Sequence, residues 1–118
     1  MKTVLVVDDE QIIANTLVQI LQANGYTATA AYSGDEALTK VNAAGCPDLL
    51  LCDVVMPGIN GVEVAIELRK KCDKVKITLI SGNAHTPEMV EHARSKGFDF
   101  TLLPKPLHPR ALLQHLAG

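Results

Sequence analysis

Five short apolar runs, each followed by a stretch of helical periodicity, constrain this chain more than any other feature. They cover residues 4–7, 27–31, 49–52, 77–80 and 100–103. Short apolar runs bounded by Gly, Pro or acidic residues read as strands buried on both faces. Between the first two, Ile13, Leu17, Ile20 and Leu21 form one stripe, and Asn24-Gly25 ends it. Ser33 with Glu36 makes a capping box ahead of Ala37, Leu38 and Val41, and Gly45 with Pro47 closes that helix. Asn60 with Glu63 is a similar start for Val64, Ala65 and Leu68. Thr86-Pro87-Glu88 sets a cap and then a first-position proline before Val90 and Ala93, with Gly97 as the stop. Pro109 opens a last helix bearing Leu112, Leu113 and Leu116. Strand and helix thus alternate five times, which predicts an α/β fold with a doubly wound parallel sheet. Right-handed crossovers leave few topologies. The flavodoxin-like order 2-1-3-4-5 is expected, as one (βα)5 domain over residues 1–118.

The length of 118 residues suffices for one core but not for two. With 47% apolar residues but only two Phe, two Tyr and no Trp, that core must be aliphatic. The net charge is −2 and the longest basic run is Arg69-Lys70-Lys71, which argues against a direct grip on nucleic acid. Cys46, Cys52 and Cys72 are odd in number and lack metal-ligand spacing. Cys52 reads as a small buried hydrophobe, and a reduced, cytoplasmic compartment fits. The apolar run at residues 3–7 meets three acids at once, so it is neither signal peptide nor membrane span.

Asp53 ends the third run, ahead of Val54-Val55-Met56-Pro57 and Gly61, and Asp8-Asp9-Glu10 ends the first. Open α/β sheets bind ligands at the carboxyl ends of their strands. In the expected order the first and third strands are neighbours, so Asp8, Asp9 and Asp53 share a small volume. Two carboxylates about 4 Å apart repel by roughly 4 kcal/mol at an effective dielectric of about 20, which favours a divalent cation. All-oxygen ligands point to Mg²⁺, Mn²⁺ or Ca²⁺. Asp8 and Asp9 also read as simple helix caps, but the second acidic strand end shifts the weight towards a site. The fourth run ends in Ser81-Gly82, where the glycine lets another group approach closely. The fifth ends in Lys105, held between Pro104 and Pro106. Alone, each is an ordinary loop residue. Together at successive strand ends, a cation, a hydroxyl donor and an ammonium suit a phosphoryl group, and a carboxylate can attack phosphorus to give an aspartyl phosphate.

Taken in order, these pieces resemble the receiver domains (CheY-like) of two-component response regulators, over the whole chain. Val6-Val7-Asp8-Asp9-Glu10 is similar to the family's acidic pair, and Asp53-Val54-Val55-Met56-Pro57 with Gly61 to its phosphoacceptor motif. Ser81-Gly82 and Lys105-Pro106 resemble its hydroxyl and lysine steps. The resemblance implies that Asp53 accepts a phosphoryl group from a sensor histidine kinase, a phosphotransfer protein or a small phosphodonor. It implies Mg²⁺ held by Asp9, Asp53 and the Val55 carbonyl, with Asp8 acting largely through water. Ser81 and Lys105 then bind the phosphoryl oxygens. It also implies a downstream partner or attached output domain, and allows a phosphorylation-dependent dimer. Many relatives carry Tyr or Phe three residues before the lysine, where this chain has Leu102. Gly97 precedes Lys105 by one residue more than usual, which leaves Phe100 and Thr101 as rival candidates for that role.

Two other classes compete. A haloacid-dehalogenase-type phosphatase also uses an aspartate nucleophile, but it wants an acid two residues further on, where Val55 follows Asp53. Glu10 stands so after Asp8, on a strand the other motifs do not match. A phosphate-independent binding module on the same fold ranks low with all the site residues present. A flavin binder ranks lower, for want of Trp and of a phosphate loop after the first strand. His85, His92, His108 and His115 are scattered and receive no ligand role, and Met56 reads as packing beneath the site.

Overall fold

The computed structural model describes residues 2–117 and turns the five runs into five strands. They are β1 (Thr3–Val7), β2 (Thr27–Ala31), β3 (Leu49–Asp53), β4 (Lys76–Ser81) and β5 (Thr101–Pro104). All pair in parallel, in the expected order β2-β1-β3-β4-β5. The helices between and after them are α1 (Gln11–Ala23), α2 (Gly34–Ala44), α3 (Gly61–Lys71), α4 (Thr86–Ser95) and α5 (Pro109–Ala117).

The period of two along a strand divides the core into two layers. Leu5, Val7, Leu50 and Cys52 join buried residues of α2 and α3, among them Ala37, Val41, Val64 and Leu68, with Ala93 of α4. Val4, Val6, Leu49 and Leu51 face the other way, onto Ala14 and Leu21 of α1 and Leu112 and Leu116 of α5. Every residue of β3 is buried, and fully burying a Val or Leu side chain is worth about 1.5–3 kcal/mol. The core is therefore aliphatic, and its central strand carries Asp53 to a fixed place.

The caps form with two differences. Asn60 and Glu63 make both halves of a capping box, at 3.0 and 3.1 Å. Ser33 accepts the Glu36 N–H at 3.0 Å, but Glu36 turns its carboxylate to Lys40, 3.6 Å away, so the box expected there is half made. Thr86 is no cap. The helix starts at Thr86 with His85 as the residue before it, and the Thr86 hydroxyl bonds Ser81. No helix among the described residues is long and apolar enough to cross a membrane.

The odd number of cysteines hides a pair. Cys46 and Cys72 form a disulfide, with Cα atoms 5.8 Å apart. The α2–β3 connection and the end of α3 meet at the amino end of the sheet, a meeting that a separation of 26 residues does not announce. Cys52 is free and buried as expected, and burial pushes its thiol well above the usual range.

Candidate functional site

Backbone pairing aims the acids before their side chains matter. The Asp8 N–H donates to the Ala31 carbonyl at 3.1 Å, which carries the β1–β2 ladder one residue past Val7. Next to it the Val54 N–H donates to the Ile80 carbonyl at 3.1 Å, continuing β3 alongside β4. The chain then turns back so that the Gly61 N–H reaches the Val54 carbonyl at 2.9 Å. A Cβ on Gly61 would sit 2.3 Å from the Asp53 carbonyl oxygen, so only glycine fits there. Gly82 is different: its Cβ would lie 3.5 Å from that of Lys105, an ordinary contact. The expected steric need for glycine at Gly82 is thus absent.

Asp8, Asp9 and Asp53 each offer an oxygen, and these lie within 4.8 Å of one another. This is the one such group of three possible metal ligands among the described residues. Asp8 and Asp53 are buried while Asp9 is exposed, which leaves the cluster open on one side. Asp8 also accepts the Glu10 N–H at 2.9 Å, so it steadies the entry to α1 as well as facing the cluster. The Lys105 ammonium lies 3.3 Å from Asp53 and 3.6 Å from Asp8. Its backbone is tied to the end of β4 by a bond from Lys105 N–H to the Ser81 carbonyl, 3.2 Å long.

Burial pushes the Asp53 carboxyl above its ordinary value, with Asp8 and Asp9 adding to the rise and Lys105 opposing it. Burial works against the Lys105 ammonium, yet attraction to Asp53 and Asp8 outweighs it and its pKa is raised. The cluster therefore holds more negative charge than one lysine neutralises. That surplus, in an oxygen-only donor set, fits a hard divalent cation.

Ser81 ends β4, and its hydroxyl meets Thr86 Oγ1 at 2.8 Å and accepts the Asn83 N–H at 3.0 Å. Sequence reasoning made Thr86 a helix cap and so missed its place beside Ser81. A threonine before a proline at a helix start carries the same signal whether it caps the helix or bonds a neighbour. Val55 is 55% exposed beside the acids. Met56 is buried in the core, as expected of a packing residue. Phe100 is buried too and stacks on Phe98 with ring centroids 6.4 Å apart, which commits that ring to packing. Leu102, paired with Leu79, is left three residues before Lys105, and Thr101 is exposed. His115 Nε2 lies 3.0 Å from Thr78 Oγ1, and its carbonyl accepts from Lys76, so it ties α5 to β4. His108 Nδ1 accepts the Arg110 N–H at the start of α5.

A doubly wound (βα)5 sheet with an acid cluster at its central strand ends defines a CheY-like α/β domain. Comparison with known proteins makes the assignment specific. The family model for the response regulator receiver domain matches residues 4–117. Response regulator MprA of Mycobacterium ulcerans (strain Agy99) is 35% identical over 113 residues, which are 96% of this chain and 47% of that protein. Among solved structures, the CheY-like receiver domain protein of Methanospirillum hungatei JF-1 matches with TM-score 0.88 at 27% identity, covering 99% of this chain and 91% of that one. Response regulator TrrA of Thermotoga maritima, solved with Mg²⁺ and BeF, matches with TM-score 0.84 at 37% identity, over 99% and 97%. The chain belongs to the response regulator receiver domain family, the phosphoacceptor modules of two-component signalling. It spans about half the length of the curated relatives it matches. Receiver domains are in general signalling modules and not enzymes.

Proposed function

We propose that this receiver takes its phosphoryl group on Asp53. The observation that carries the reading is the meeting of Asp8, Asp9 and Asp53 within 4.8 Å, with the Lys105 ammonium 3.3 Å from Asp53. Asp8, Asp9, Asp53 and the Val55 carbonyl would hold Mg²⁺, which when bound supplies charge neutralisation at the phosphoryl oxygens. An Asp53 carboxylate oxygen forms the new P–O bond as the P–N bond of a phosphohistidine donor breaks. The freed imidazole keeps that electron pair and takes a proton from solvent. The Lys105 ammonium neutralises charge on the phosphoryl oxygens, and Ser81 donates a hydrogen bond to one of them. No acid stands two residues after Asp53 to serve a leaving group, so the chemistry is acceptance of phosphate and not turnover of esters.

A groove of about 590 Å³ runs beside the acids, lined by Ile13, Leu17 and Ile20 of α1 and by Pro106 and Leu107. Ile12 on the same helix is 83% exposed. An apolar surface next to the acceptor supports docking of a helix from a sensor histidine kinase or phosphotransfer protein, in the cytoplasm where such donors work. The signal then passes to an attached output domain or a downstream partner. Acetyl phosphate with Mg²⁺ tests the acceptor directly. Intact mass spectrometry should show one phosphoryl addition, absent in Asp53→Asn. Equal labelling of that variant would sink the assignment.

A further inference from the structure

Ser81 and Thr86 form a buried pair of hydroxyls, 7% and 1% exposed, with oxygens 2.8 Å apart. A serine hydroxyl has one hydrogen and two lone pairs. At Ser81 one of these three directions is taken by the Asn83 N–H and a second by Thr86, both on the α4 side. Thr86 itself is not free to travel. It is the first residue of α4, its N–H donates to the Asn83 carbonyl at 3.2 Å, and Pro87 follows it. Movement of Ser81 towards Asp53 therefore stretches the hydroxyl pair and strips a buried group of its partner.

We propose that Thr86 is a positioning residue that competes with the phosphoryl group for the Ser81 hydroxyl. The proposal rests on the reading of Asp53 as acceptor. In the resting domain Thr86 holds Ser81 towards α4. Phosphorylation draws Ser81 away, so the site binds its phosphoryl group less tightly than its contacts alone allow. The opposing restraint sits on the first turn of α4, so that turn loses its partner when the site fills.

Beryllofluoride with Mg²⁺, a phosphoryl mimic, provides the test. Thr86→Val, close to isosteric, should lower the beryllofluoride concentration for half-saturation by about three- to tenfold, the equivalent of one neutral hydrogen bond. Thr86→Ser keeps the hydroxyl and should bind like the wild type. In a Ser81→Ala background, Thr86→Val should change nothing, since Thr86 acts only through Ser81. Weaker or unchanged binding in Thr86→Val overturns the proposal, as does an effect that persists in Ser81→Ala. Thr86→Ser behaving like Thr86→Val overturns it too, because the hydroxyl then plays no part. Binding by the wild type keeps those failures separate from failure of the acceptor reading. If the wild type shows no Mg²⁺-dependent binding, that reading falls and takes the proposal with it.

Discussion

Asp48 and Asp53 stand at opposite ends of one strand and in opposite circumstances. Asp48, just before β3, accepts the Thr3 N–H at 2.8 Å and the Thr3 hydroxyl at 3.2 Å. Those bonds hold its exposed carboxyl below the usual range. The Asp48 N–H returns a bond to Thr3 Oγ1 at 2.9 Å, and its carbonyl accepts from Lys76 N–H at 3.0 Å. The Cys46–Cys72 disulfide closes the same end of the sheet. At the other end Asp53 is buried beside two like charges, with one lysine shared between it and Asp8. The amino end thus gathers favourable contacts, while the carboxyl end stores repulsion that a ligand can relieve. Gathered like charges are a poor place to gain stability, and this fold sets them a strand's length from the contacts that supply it.

The largest effect is expected at the disulfide. Cys46→Ser opens a loop of 26 residues, which the chain-entropy relation values at about 3.5 kcal/mol. Urea unfolding under oxidising conditions should show a loss of that order, with beryllofluoride affinity unchanged. A shifted affinity would mean that the two ends are coupled after all. Reductant should lower the wild type towards the variant, which is the state expected in a reducing compartment.

Asp9→Asn works at the opposite end with the opposite sign. Relieving part of the repulsion should raise metal-free stability by about 1 kcal/mol while Mg²⁺ binding is lost. A metal-free melting point at neutral pH that stays level or falls would deny that the acid cluster is under charge strain.

The smallest effect is one of pH, and it separates the two carboxylates by sign. The folded value of Asp53 lies above the ordinary 3.8, so the folded chain binds that proton more readily than the unfolded one. Its contribution to stability therefore falls as pH rises through the window above 3.8. The folded value of Asp48 lies below 3.8, so its contribution is present above that pH and is lost as pH falls through the lowered value. Urea titrations of wild type, Asp53→Asn and Asp48→Asn between about pH 3 and 7 should give difference curves of opposite slope. Parallel curves would put the two carboxylates in the same circumstance.

Much of this was legible because local rules and the global fold agree. The apolar runs marked all five strands to within a residue or two, and Asn24-Gly25, Asn60 with Glu63, and Pro109 marked helix ends where the structure has them. The acids could be brought together on paper because strand order alone makes β1 and β3 neighbours. Legibility failed where one signal serves two structures. Ser33 with Glu36 promised a full capping box, and Lys40, one turn on, took the carboxylate. Gly82 promised a close approach that Lys105 does not make.

What the sequence alone determined was the alternation, and through it the sheet order, the aliphatic core and the strand ends at which the acids meet. Period and punctuation are properties of neighbouring residues, so they survive in one dimension. Only the tertiary structure decided the rest: which cysteines pair, that only glycine fits at Gly61, and that Thr86 bonds Ser81 and does not cap α4. Each of these depends on the distance between segments brought together by packing, and local sequence does not encode that distance.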